Sequence, residues 1–115
     1  MWLFSEKGFV SIVQTTNTGF LTVRARVKGD IEKMFPGVKV IVTPSADYRF
    51  RAEVSRGTVA AVLENLALKI DYDNFKNRVA KHDPNRAHTA YMDVWKAMLD
   101  LQSERAKKPK KRKSK

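Results

Sequence analysis

The stretch Phe20-Leu21-Thr22-Val23-Arg24-Ala25-Arg26-Val27-Lys28 decides how this chain is read. Leu21, Val23, Ala25 and Val27 alternate strictly with Thr22, Arg24, Arg26 and Lys28. Successive side chains of a strand point to opposite sides of a sheet, so a period of two marks one dry face and one wet face. Tyr48-Arg49-Phe50-Arg51-Ala52-Glu53-Val54 repeats the pattern, which assigns Tyr48, Phe50, Ala52 and Val54 to the core. With both strands in one sheet, Arg24, Arg26, Arg49 and Arg51 project together from its outer face, with Glu53 as a local partner.

Outward from these strands, residues 1–4 and 8–14 read as extended, and the polar cluster at 15–19 reads as a turn into the Phe20 strand. Asp30 is placed to cap a short helix over 31–35, which Pro36-Gly37 stops. Val38, Val40 and Val42 suggest a third strand ended by Pro44. Ser55 then caps a helix that places Val59, Val62, Leu63, Leu66 and Ile70 on one face. Asp73 starts a short helix carrying Phe75 and Val79, with Asp71 closing the helix before it. Asp83-Pro84 is a start signal, a capping carboxylate followed by proline at the first helical position. The apolar stripe of the helix it opens is Tyr91, Val94, Trp95, Met98 and Leu101.

The expected fold is therefore α+β: a four-stranded, mainly antiparallel sheet with helices on one face, for which a ferredoxin-like order is one arrangement. Residues 1–103 form the expected single domain and residues 104–115 a disordered, Lys/Arg-rich tail, since such a segment has too little apolar surface to offset its ordering entropy.

Composition narrows the chemistry. A chain of 115 residues buries roughly two-thirds of its unfolded surface without covalent staples. The absence of cysteine excludes a disulfide framework, a thiolate zinc site and a cysteine nucleophile. No apolar run approaches the roughly 20 residues of a membrane span, so the expectation is a cytoplasmic protein without a membrane partner. Charge is unevenly spread. Residues 105–115 carry eight of the 23 basic groups and none of the 12 acidic ones, which leaves 15 basic against 12 acidic before them. Those eight are Arg105, Lys107, Lys108, Lys110, Lys111, Arg112, Lys113 and Lys115.

Several motifs point to a family. Met1-Trp2-Leu3-Phe4, Gly8-Phe9-Val10-Ser11-Ile12-Val13 and Leu21-Thr22-Val23-Arg24-Ala25-Arg26 form one group. Asp47-Tyr48-Arg49-Phe50-Arg51-Ala52, Ile70-Asp71-Tyr72-Asp73-Asn74-Phe75-Lys76 and Val94-Trp95 form another. Over about residues 1–103 the combination resembles a family of small proteins of bacteria and their phages. The resemblance implies a prokaryotic or phage setting; the family has no established activity, so it implies no site residue.

The function expected from these features is non-enzymatic binding of DNA or RNA. The tail attracts any polyanion, because each phosphate it neutralises releases counterions, and the sheet arginines offer guanidinium forks to a phosphate backbone; the plain alternative is a solubilising tail and a solvated antiparallel face. RNA-reading sheets also interleave aromatic side chains for base stacking, and here Tyr48 and Phe50 alternate onto the core face, which argues against base readout. The rival is a protein-interaction module, such as a phage-borne inhibitor of a host factor, using a sheet edge or the last helix. A third reading is a metal-dependent phosphodiesterase with Asp71 and Asp73 as ligands near Asp47 and His88. Against it, such spacing is common at helix junctions. No cofactor is implied.

Overall fold

The computed structural model describes the backbone of residues 1–113 and the side chains of residues 1–107. Contacts gather into two compact units, Met1–Tyr72 and Asp73–Lys115.

The first unit holds β1 (Trp2–Ser5), β2 (Gly8–Val13), β3 (Phe20–Ala25), α1 (Asp30–Met34), β4 (Ile41–Val42), β5 (Phe50–Ser55) and α2 (Arg56–Leu68). The described strands form an antiparallel sheet in the order β1-β2-β3-β5-β4. The class is α+β, but the sheet has five strands where four were expected. The extra one is β1, which pairs with β2 from Trp2 opposite Ser11 to Ser5 opposite Gly8. Four residues are too few for a period of two to declare itself. The element order β-β-β-α-β-β-α also differs from the ferredoxin-like β-α-β-β-α-β order.

Register sorts the side chains between the two faces. Ile12, Val23 and Ala52 form one transverse row, Leu21 faces Val54, and Ala25 faces Phe50. With Val10, these close on Ile31, Met34 and Phe35 from the α1 region and on Val59 of α2. Each fully buried side chain of this size contributes about 1.5–3 kcal/mol, so one sheet face and two helices suffice for a core. Ser55 caps α2 as expected, its Oγ accepting the Thr58 N–H at 3.2 Å. Ile70 lies past the end of α2 and is 57% exposed, so it is not part of the apolar face assigned to that helix.

Asp30 departs from its expected role. Gly29, in the left-handed region at φ 96°, occupies the capping position of α1, and Asp30 is the first helical residue. Its carboxylate is buried and accepts the Phe9 N–H at 3.0 Å, tying α1 to the start of β2. Gly8 makes that approach possible: it sits at φ +143°, and a Cβ there would fall 2.4 Å from Asp30 Cγ. Two expected strands are also shorter. β3 ends at Ala25, and Val38 and Val40 pack against the core from the segment before β4.

The second unit is helical: α3 (Phe75–His82), α4 (Pro84–His88) and α5 (Ala90–Lys113). Asn74, rather than Asp73, caps α3, its Oδ1 accepting the Asn77 N–H at 2.9 Å. Asp83 caps α4 with Pro84 at the first position, as expected, and accepts the Arg86 N–H at 3.1 Å. The helix does not run straight on, because Thr89 breaks it at φ −117°, ψ −88°. Tyr91 stacks on Phe75 with centroids 5.7 Å apart and is buried alongside Val79 and Ala87. Of the expected stripe, Val94 is half-buried, whereas Trp95, Met98 and Leu101 are exposed. Residues 104–107, where the tail was expected to begin, are helical and exposed. The side chains of Lys108, Lys110, Lys111, Arg112, Lys113 and Lys115 lie outside the described residues. Among the described residues no helix is long and apolar enough to cross a membrane.

Candidate functional site

One transverse row crosses every strand of the sheet on the face away from α1 and α2. It runs Trp2, Ser11, Arg24, Arg51, Ile41. Arg24 stands at its centre, and its Nη2 donates to Ser11 Oγ at 2.9 Å. Its Nε is covered from solvent and has no hydrogen-bond partner among the described residues. Arg51, the next residue in the row, donates from Nε to the Tyr48 carbonyl at 3.3 Å, and its Nη2 lies 3.7 Å from Asp47 Oδ1.

Tyr48 gathers these groups. Its ring has guanidinium carbons of Arg24 at 4.5 Å and Arg26 at 4.1 Å from the centroid. Arg26 Nη1 also donates to the Asp47 carbonyl at 3.0 Å. The assignment of Tyr48 to the sheet core is thereby corrected. The residue is only 4% exposed, but it lies outside the apolar cluster and is in contact with arginines. The physical reason is that β5 begins at Phe50. Tyr48 precedes the strand, so the strand's alternation does not govern its direction. Arg49 is exposed, and its carbonyl accepts the Thr43 N–H at 2.7 Å.

The arrangement is electropositive. Arg24, Arg26 and Arg51 converge on one tyrosine with Asp47 as the adjoining carboxylate. Glu53, expected to partner the arginines, instead accepts the Thr22 hydroxyl at 2.5 Å one row away. Cations against an aromatic face are attracted by its quadrupole, which offsets part of the repulsion between neighbouring guanidinium groups.

The same face carries aromatic side chains. Phe4 and Phe9 pair across β1 and β2 and stack at 4.5 Å, and Trp2 meets Phe9 edge-on at 6.2 Å. Phe9 precedes Ser11 by two residues, and Trp2 is Ser11's direct partner, so these rings share the arginine face. The expectation that this face lacks aromatics is overturned. The signal was present in the sequence: Trp2 and Phe4, then Phe9 and Ser11, hold the alternate positions of two short strands. Register was needed to bring them beside Arg24.

Arg105 and Lys107 are exposed on α5. Asp71 belongs to the first unit and Asp73 to the second. Among the described residues no group of three His, Cys, Asp or Glu side chains is placed to hold a metal ion. No family model, curated protein or solved structure matches the chain.

Proposed function

We propose that this is a small, non-enzymatic protein that binds nucleic acid by electrostatic contact with phosphates. The contacts are made by Arg24, Arg26, Arg49 and Arg51 and by the basic segment from Arg105 to Lys115. The observation that carries the reading is the placement of Arg24 and Arg26 on the ring of Tyr48. A guanidinium held in place loses less freedom on meeting a phosphate than one free in solvent. The eight basic groups of the C-terminal segment add a sequence-independent attraction. The test is an anisotropy titration of labelled DNA and RNA with the intact chain and with a chain lacking residues 105–115. Binding that falls steeply with salt, and that the deletion weakens most at low ionic strength, supports the proposal. Affinity unchanged by the deletion removes the C-terminal segment from it.

A second reading is favoured by one observation. Trp95, Met98, Leu99 and Leu101 leave an exposed apolar face along α5, of the kind that docks against another protein. In that reading the chain is an interaction module, such as an inhibitor of a host factor. A stoichiometric protein retained after nuclease treatment, and lost on Trp95→Glu substitution, supports it.

A further inference from the structure

We infer that the nucleic acid held on the arginine face is single-stranded and that Trp2 is the platform on which one of its bases stacks. The inference deepens the nucleic-acid reading and rests on it. Three observations carry it.

First, the row Trp2, Ser11, Arg24, Arg51 places an aromatic and two guanidinium groups on one sheet face. Neighbouring strands lie about 4.8 Å apart, so the Trp2 backbone is roughly 10 Å from that of Arg24, and Arg51 is one strand further on. A chain laid across the strands sets a base over Trp2 and its following phosphates over Arg24 and Arg51. Second, Trp2 is 68% exposed, while Phe9 meets its indole in a T-shaped contact at 6.2 Å. An aromatic that is supported and still open to solvent has surface left for stacking. Third, the guanidinium groups of Arg24 and Arg26 are gathered on the Tyr48 ring, so two positive charges are presented together to a backbone of repeated negative charge.

Base stacking on a protein aromatic requires a base that is not already stacked within a duplex. Alternating aromatics and arginines on an open sheet therefore select single strands, and do so with little sequence preference, because every base has a π-face. A duplex can still meet the arginines through its phosphates, but it gains nothing from Trp2.

The experiment uses the full chain carrying Trp95→Phe, which leaves Trp2 as the sole tryptophan. The probes are an oligothymidylate and a mixed-sequence duplex of equal length at one fixed salt concentration. The expected result is quenching of Trp2 emission by the oligothymidylate. Trp2→Ala should weaken binding to that probe by about 5- to 150-fold, the effect of losing one stacked base. Trp2→Phe should restore most of it, and duplex affinity should change by less than about twofold. Trp2 lies outside the core, and circular dichroism of each variant checks that it is folded. Salt-dependent binding with unchanged Trp2 emission and an unaffected Trp2→Ala variant would overturn the stacking platform and leave the phosphate reading standing. An equal loss on both probes would overturn the single-strand assignment. Absence of binding to either probe in dilute buffer would overturn both.

Discussion

The guanidinium carbon of Arg26 lies 4.1 Å from the centre of the Tyr48 ring, and Arg24 reaches the same ring from the neighbouring outward position of the chain. Arg24 lies in β3 and Arg26 just past its end, so strand geometry alone does not bring the two charges together. Here a single tyrosine, just ahead of β5, draws both to one place while its carbonyl accepts from Arg51. The basic character of the face is thus a property of packing as well as of composition.

Replacing that ring should therefore affect binding without altering charge. Tyr48→Leu removes two cation–π contacts, each worth about 0.5–1 kcal/mol at exposed sites and about 2 kcal/mol when desolvated. We predict a stability loss of about 1–3 kcal/mol in urea denaturation, and weaker nucleic-acid binding by the folded variant although its net charge is unchanged. A folded variant with undiminished affinity would show that the ring does not organise the arginines for binding.

The Gly8–Asp30 contact makes a prediction about folding. Gly8→Ala forces a Cβ to 2.4 Å from Asp30 Cγ at a backbone angle that L-residues avoid, so we predict a loss above about 2 kcal/mol. Asp30→Ala strips the half-buried Phe9 N–H of its acceptor and should cost about 1–3 kcal/mol. Since removal of the carboxylate also removes the clash, the double variant should lose less than the sum of the two. Strict additivity in denaturation midpoints would contradict the contact.

A cap gives a smaller effect. Ser55→Ala leaves the Thr58 N–H without its side-chain acceptor at the start of α2, and we predict a loss of about 1 kcal/mol. Ser55→Asp should retain most of the stability. Equal destabilisation by both substitutions in thermal unfolding would mean that packing, not capping, sets the value.

How far the residues alone carried this fold depends on where local pattern and long-range register coincide. The alternation of residues 20–25 and 50–54 declared two central strands, and Ser55 and Asp83-Pro84 declared two helix starts, because each signal is confined to a few consecutive residues. β1 was missed as a paired strand because its partner is chosen across a tight turn and its own length is four residues. Asp30 looked like a cap, and became a buried link to Phe9, because Gly8 lets β2 approach. At the candidate site, the shared face of Arg24 and Arg51 was legible from alternation because both lie within strands, whereas Arg26 and Arg49 lie just outside β3 and β5. Trp2 and Tyr48 were not legible, since one joins the face through register and the other lies just outside a strand.

The most direct measurement is the salt dependence of oligonucleotide binding by the intact chain beside a folded variant with Arg24, Arg26, Arg49 and Arg51 all changed to Ser. With about 0.7–0.9 of slope in log K against log salt per phosphate contact, we predict that the variant loses about three units of slope together with affinity. An identical slope and affinity in the two proteins would contradict a role for the arginine face in holding phosphate.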